Sequence, residues 1–340
     1  MLYKSLLILF LFLSISSCAS HKTPIIRYKT PSQKATHWIK PPPLKKGDTV
    51  AIVSPAGYLY DSIHTIQNGL DSLRSWGLAY KIYPHTFDRY IHFAGKDTDR
   101  ATDFQEAMNN PNIKAIWCSR GGYGSVRMID QLDYSVLKKH PKWIIGFSDI
   151  TAIHNDLHNT GIQSIHGIMP LSFRNPTPKR QVAISTLKNI LFGTTVKYSF
   201  TSNPYNRTGS ATGVLVGGNL SILQSLLESK SSIDTRGKII FLEEVGEKKY
   251  QIDRMLYSLK RAGYFDQCKA LIVGGISGIK DDDDFDIPIE DIFLQVLKEY
   301  KFPIVFNFPA GHIYNNKALI FGSKVKVTVR KQKTTLRFLE

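Results

Sequence analysis

IKAIWCSRGGYGS, residues 113–125, is an apolar run that breaks into a glycine-rich turn and delivers a serine at a helix start. Ile113, Ala115, Ile116 and Trp117 read as a buried strand. Gly121, Gly122 and Gly124 let the chain reverse sharply with its amides aimed at a bound group. Beyond Ser125, the residues Val126, Met128, Ile129 and Leu132 fall at mainly helical spacing, so the serine sits near a helix N-terminus, where developing negative charge is stabilised. Strand, turn and helix in this order are the repeating unit of a parallel α/β sheet, whose site lies at the carboxyl ends of its strands. The turn is not a standard phosphate cradle or elbow. It lacks the third glycine of the dinucleotide fingerprint, no Gly-Lys-Ser/Thr follows, and Tyr123 and Arg127 stand where a Gly-x-Ser-x-Gly elbow needs glycine. Taken alone, a purely structural turn accounts for it as well as a catalytic one.

The same alternation runs outward from this stretch. Strands are expected at residues 49–54, 80–83, 113–119 and 143–147, with helices over 64–76 and around 100–108. Residues 171–212, with Asn175-Pro176-Thr177-Pro178 and Thr201-Ser202-Asn203-Pro204, read as a linker interrupted by a short helix at 184–191. Strands follow at 214–217, 239–242, 270–274, 304–306 and 318–329, with a helix at 252–261. The expected organisation is an N-terminal parallel-sheet domain of flavodoxin or Rossmann type over 44–170, then a mixed β/α domain over 213–335. A cleft between the two would hold the site.

A serine nucleophile needs a base and a carboxylate to orient it. KIIFLEE, residues 238–244, is a β-rich run ending in Glu243 and Glu244, and FPAGHIYNN, residues 308–316, places His312 in a Pro/Gly loop. Successive strand residues face opposite ways, so only one of the two acids reaches an imidazole, and the sequence leaves open which.

RGGYGS at 120–125, GFSDIT at 146–151, LEEVGEKKYQIDRML at 242–256 and GH at 311–312 together resemble the LD-carboxypeptidase family, the muramoyl-tetrapeptide carboxypeptidases. The resemblance covers roughly residues 44–329. It implies a Ser-Glu-His triad cleaving the bond between an L-centre of a murein stem peptide and a terminal D-alanine. By position it implies Ser125 as nucleophile, Glu243 as orienter and His312 as base, with Gly122, Val126, Ser148 and Asp149 around the oxyanion and substrate. No cofactor is expected, and no metal is expected because no ligand cluster appears at zinc spacing. One departure concerns the pocket wall: the family reads His-Gly-Pro-Met where this chain has His166-Gly167-Ile168-Met169. Two other readings remain. A microcin-immunity type of peptidase would use the same triad on peptidyl conjugates, and a binding lipoprotein would hold muropeptides without cutting them.

At the start of the chain Lys4 precedes LLILFLFL, residues 6–13, too short to span a membrane but suited to a secretory signal. Ile15-Ser16-Ser17-Cys18 resembles a lipobox. Residues 1–18 are therefore expected to be a lipoprotein signal with Cys18 lipidated, and the mature protein to be lipid-anchored in the bacterial envelope, facing the periplasm. Residues 19–43, basic and ending in Pro41-Pro42-Pro43, read as an extended tether. Cys118 and Cys268 read as inert buried thiols. The net charge of +16 comes from Lys and Arg scattered along the sequence. With no recognition motif it points to attraction to an anionic envelope rather than to nucleic acid. His154 and His158 have i, i+4 spacing, yet Asn155 replaces the glutamate of a zinc peptidase. The acidic run at 281–284 lacks the glycine of a calcium loop. Lys324 to Val329 alternate as a strand with lysines outward. The oligomeric state stays open, a homodimer being one arrangement.

Overall fold

The computed structural model describes residues 35–60, 63–280 and 284–339. The lipobox and most of the tether lie outside the described residues, as do Asp281, Asp282 and Asp283. Among the described residues no helix is long and apolar enough to cross a membrane.

The first sheet is built from β1 (Thr49–Val53), β2 (Ala79–Ile82), β3 (Ile113–Cys118), β4 (Trp143–Gly146) and β5 (Ser164–His166), all parallel. Their spatial order is 2-1-3-4-5, the flavodoxin arrangement. Helices α1 (Gln67–Ser75), α2 (Asp97–Asn109), α3 (Ser125–Met128), α4 (Ser135–Lys139) and α5 (Thr151–Thr160) fill the crossovers. Near-continuous burial of β1, β3 and β4 follows from cover on both faces.

Residues 171–212 are not a linker. They carry α6 (Pro178–Leu191), β6 (Lys197–Thr201) and the start of β7 (Gly209–Asn219). The helix begins six residues before the expected point because Thr177 caps it, accepting from the Arg180 amide at 3.1 Å, and Pro178 occupies the first helical position. The second sheet continues with β8 (Ile239–Val245), β9 (Ala270–Ser277) and β10 (Ile304–Val305), parallel to β7, accompanied by α7 (Leu220–Ser225), α8 (Lys249–Arg261) and α9 (Ile289–Val296). The run 318–329, expected as one strand, is two. Gly322, at φ 85°, breaks it into β11 (Leu319–Phe321) and β12 (Lys324–Val329). β11 crosses to the first sheet and pairs antiparallel with β5, whereas β12 pairs with β7 and with β13 (Lys333–Phe338). The halves are thus stitched together by a strand of the second inserted into the sheet of the first.

The described end of the expected tether is docked, not extended. Ile39 exchanges backbone hydrogen bonds with Gly161 and Gln163, Trp38 stacks on His158 at 4.7 Å, and Pro41 is buried. One tryptophan and one proline supply apolar surface that a basic, proline-bearing composition conceals. Cys118 and Cys268 are free and buried, and burial pushes the Cys268 thiol up to about 12. His154 is committed to Ser164 Oγ at 2.8 Å and the Gly146 carbonyl at 2.9 Å, and burial pulls it down to about 4. His158 Nε2 accepts from Lys238 Nζ at 2.9 Å.

Candidate active site

Three turns from three strand ends converge. The first follows β4. Ser148 has φ 65°, a left-handed conformation that costs a residue with a side chain of order 1–3 kcal/mol and recurs where a nucleophile is held on a sharp strand-to-helix turn. Gly146, two residues earlier, is required: a Cβ there would lie 2.8 Å from the Ile150 side chain. The sequence Gly146-Phe147-Ser148 is therefore the first half of a Gly-x-Ser elbow, with Ile150 where the second glycine would be.

The second turn is the glycine-rich one after β3. Trp117 on β3 pairs with Ile145 on β4, so the two adjacent strands deliver their turns side by side. Gly121 lies so close to Ser148 that a Cβ on it would sit 2.9 Å from the Ser148 Cβ and 3.1 Å from its Oγ. Gly124, at φ 136°, presses on the Phe93 ring, and its carbonyl accepts from the buried Arg100 at 2.9 Å.

The third turn, after β10, carries His312. Gly311 donates to Asn316 Oδ1 at 2.8 Å, and Ser277 Oγ donates to the His312 carbonyl at 2.8 Å, fixing the loop. Glu243, at the end of β8 and fully buried, accepts from His312 Nδ1 at 2.6 Å and from the His312 amide at 3.2 Å. With Nδ1 donating, the tautomer leaves Nε2 as the acceptor, and Nε2 lies 3.1 Å from Ser148 Oγ. The Phe147 ring flanks the imidazole at 4.9 Å.

Ser125 is not in this chain of hydrogen bonds, and its assignment as nucleophile is corrected. It is fully buried, and its amide donates to Asp149 Oδ2 at 2.8 Å. Its role is to hold Asp149: burial raises that carboxyl, opposed by hydrogen bonds from Ser125 and Gly124 and by the charge of Arg100. Val126, expected at the oxyanion, instead lies in α3 beside Ser125, packed on the core of the first sheet. Gly122 stays in the turn beside Gly57. Glu244 faces elsewhere, accepting from Asn219 Nδ2, the Ser221 amide and its own neighbour Val245. Thr151, two residues past Asp149, accepts from the Asn219 amide at 3.0 Å and so ties the first turn to the end of β7.

His166-Gly167-Ile168-Met169 is also corrected as pocket wall. Ile168 is a core residue with no exposure, its carbonyl accepting from Trp117 Nε1 at 2.9 Å. His166 is enclosed by Phe147, Phe241 and Phe321, and burial pulls it well below the ordinary histidine range. Among the described residues, the group whose ligand atoms converge as a metal site would require is His85, Asp88 and Asp99. It shares no residue with the Ser148 cluster, and His85 Nδ1 is bonded to Asp103 at 2.8 Å.

Residues 50–167 match the LD-carboxypeptidase N-terminal domain and residues 212–327 match its C-terminal domain. The chain belongs to the LD-carboxypeptidase family of serine peptidases. The probable murein peptide carboxypeptidase of Bacillus subtilis is 32% identical over 304 residues, spanning 86% of this chain and 92% of the relative. The murein tetrapeptide carboxypeptidase of Pseudomonas aeruginosa is 28% identical, over 80% of this chain and 91% of that protein. The crystal structure of muramoyltetrapeptide carboxypeptidase from Oxalobacter formigenes superposes with TM-score 0.79 at 27% identity, covering 86% of this chain and 99% of the other. The structure of MccF in complex with glutamyl sulfamoyl guanosine, at 23% identity and TM-score 0.78, shares the fold.

Gly311 supplies a test of how tightly the carboxylate is held. It has φ 102°, and a Cβ on it would fall 2.6 Å from the Glu243 Cβ. Gly311→Ala is expected to displace Glu243 or the loop and to cost roughly 10²-fold in kcat, as misplacements near 1 Å do. Steady-state kinetics on the folded variant measures this, and a rate within twofold of wild type would show the site to be more compliant.

Proposed function

We propose that this peptidase acts on murein tetrapeptides, releasing the terminal D-alanine by cleavage of an L,D bond through Ser148, His312 and Glu243. The observation that carries the reading is the continuous hydrogen-bonded line Ser148 Oγ, His312 Nε2, His312 Nδ1, Glu243 Oε2. The printed activities of the relatives supply the substrate class. His312 Nε2 takes the Ser148 proton as Oγ bonds to the carbonyl carbon of the penultimate residue. Glu243 holds the imidazole in the required tautomer and balances its charge. The N–H of Asp149, the residue after the nucleophile, and those of the Gly121-Gly122 turn are the donors assigned to the oxyanion. The carbon–nitrogen bond then breaks, His312 returns the proton to the leaving amine, and water hydrolyses the Ser148 ester.

Incubation with disaccharide-tetrapeptide, read by mass spectrometry, tests the substrate: loss of one alanine is expected. Hydrolysis of a nucleotide-linked peptide in preference to it would favour the microcin-immunity type instead, and tight binding without cleavage would favour a carrier.

The acid limb of the pH profile follows from His312. Burial pulls its imidazole down, but the charge of Glu243, the hydrogen bond to it and the charge of Glu244 together lift it above the ordinary histidine value. Only the neutral imidazole accepts the serine proton, so a raised value moves the limb to higher pH. The midpoint of kcat/KM is expected above the ordinary histidine value in wild type and at lower pH in Glu243→Gln, where only the charge of Glu244 still opposes burial. Coincident profiles would separate Glu243 from the base.

The lipid anchor and periplasm-facing location belong to the same proposal, resting on residues 4–18. Cys18→Ser is expected to abolish acyl labelling and to let a high-salt wash release the protein from the membrane fraction. Unchanged fractionation and mass would remove the lipobox.

A further inference from the structure

Part of the positive charge is concentrated near the end of the chain, and the fold adds Lys197 to it. Residues 317–339 hold seven Lys or Arg and no Asp or Glu, and residues 195–212 add Lys197 and Arg207, again with no acid. In β12 and β13 alternate residues are buried, among them Val325, Val327, Leu336 and Phe338, and Tyr198 is buried on β6, so the residues between them face outward. Lys197, Lys326, Arg330, Lys331, Lys333 and Arg337 line one concave face of about 770 Å³. Among the described residues none of the six forms an ion pair. Register makes the concentration sharper still. Lys326 lies directly opposite Arg337 on β13, and Arg337 lies directly opposite Lys197 on β6, a row of three like charges across three strands. Like charges placed directly opposite destabilise a sheet, so anions from outside the chain would relieve the row.

We propose that this face binds the phosphate headgroups of an anionic bilayer. Charge complementarity and position both favour that occupant. Six cations at one surface, with no carboxylate among them, meet a phosphate-rich plane without any lock-and-key geometry. No aromatic side chain lines the face, so it offers no platform on which nucleic-acid bases could stack. Its place in the fold is also suited to a membrane. β7 pairs through Gly209 with Val329, beside the hairpin turn, and through Asn219 with Glu243. The hairpin turn therefore lies at the other end of an eleven-residue strand from the catalytic carboxylate, roughly 30 Å away at the usual strand rise. A bilayer held there leaves the Ser148 cleft open to peptide.

Vesicle flotation of the full chain tests the proposal, with Cys18→Ser in every arm so that no acyl chain contributes. Binding to phosphatidylglycerol-containing vesicles is expected to exceed binding to pure phosphatidylcholine by about tenfold or more. It is expected to fall as salt is raised. Lys326→Gln/Lys333→Gln/Arg337→Gln should remove most of it, about tenfold or more, while hydrolysis of soluble peptide stays at the wild-type rate and reports an intact fold. Equal binding to both vesicle types, or equal binding by the triple variant, would overturn the proposal. So would tighter binding to a single-stranded oligonucleotide than to the anionic vesicles.

Discussion

Ser148→Ala is expected to lower kcat/KM by about 10⁴-fold or more, with the fold intact, because it removes the only hydroxyl on the His312 line and leaves substrate binding and the backbone amides in place. Ser125→Ala is its control. Among the described residues the buried Ser125 Oγ has no hydrogen-bond partner, and the bond to Asp149 comes from the backbone amide, which alanine keeps, so Ser125→Ala is expected to shift Tm by only a few degrees, with turnover largely kept. The two variants are measured side by side by steady-state kinetics and thermal melting. A near-normal rate in Ser148→Ala with collapse in Ser125→Ala would return the nucleophile to the glycine turn.

The second large effect separates the adjacent acids. Glu243→Gln keeps a hydrogen-bonding group against His312 but loses the charge that balances the imidazolium. It also permits the wrong tautomer, so a fall in kcat of roughly 10²–10⁴-fold is expected. Glu244 is buried too, yet its oxygens are spent on Asn219, Ser221 and Val245. Its glutamine variant leaves one or more of those donors unmet and is expected to lower Tm by several degrees while the folded enzyme still turns over. Pre-steady-state rates and melting curves together distinguish the cases. Loss of the chemical step in Glu244→Gln alone would shift the orienting role by one residue.

Much of this was legible in the chain. The alternation of strand and helix predicts the parallel first sheet, because apolar runs of strand length bounded by glycine turns have few other readings. Glu243 and His312, the acid and base proposed above, were readable from a strand end and a Pro/Gly loop, with the family position choosing between the two acids. The hydroxyl that meets His312 was not, for a physical reason. Two serines follow two strand ends, and three glycines make the turn at Ser125 far more conspicuous than the single Gly146 before Ser148. Which hydroxyl meets His312 depends on the β3–β4 register and on a loop some 160 residues away, neither of which has a local signature. The glycines carry a signal of another kind: they keep side chains out of the space Ser148 occupies. Most of the basic face stands in the acid-free run 317–339, but Lys197 joins Arg337 only once β6 and β13 pair.

β11 has a consequence for building hybrids from related enzymes. Residues 319–321 belong by sequence to the C-terminal family domain, yet they complete the sheet of the first half, with Phe321 against the rings of His154 and His166. A graft made at the natural seam between residues 167 and 212 would carry a foreign edge strand into that slot. Its three side chains would then have to fit a surface shaped by another parent. Interchangeable modules are thus not the two halves as they run along the chain, and a workable chimaera keeps Leu319–Phe321 with the parent that supplies Ser164–His166.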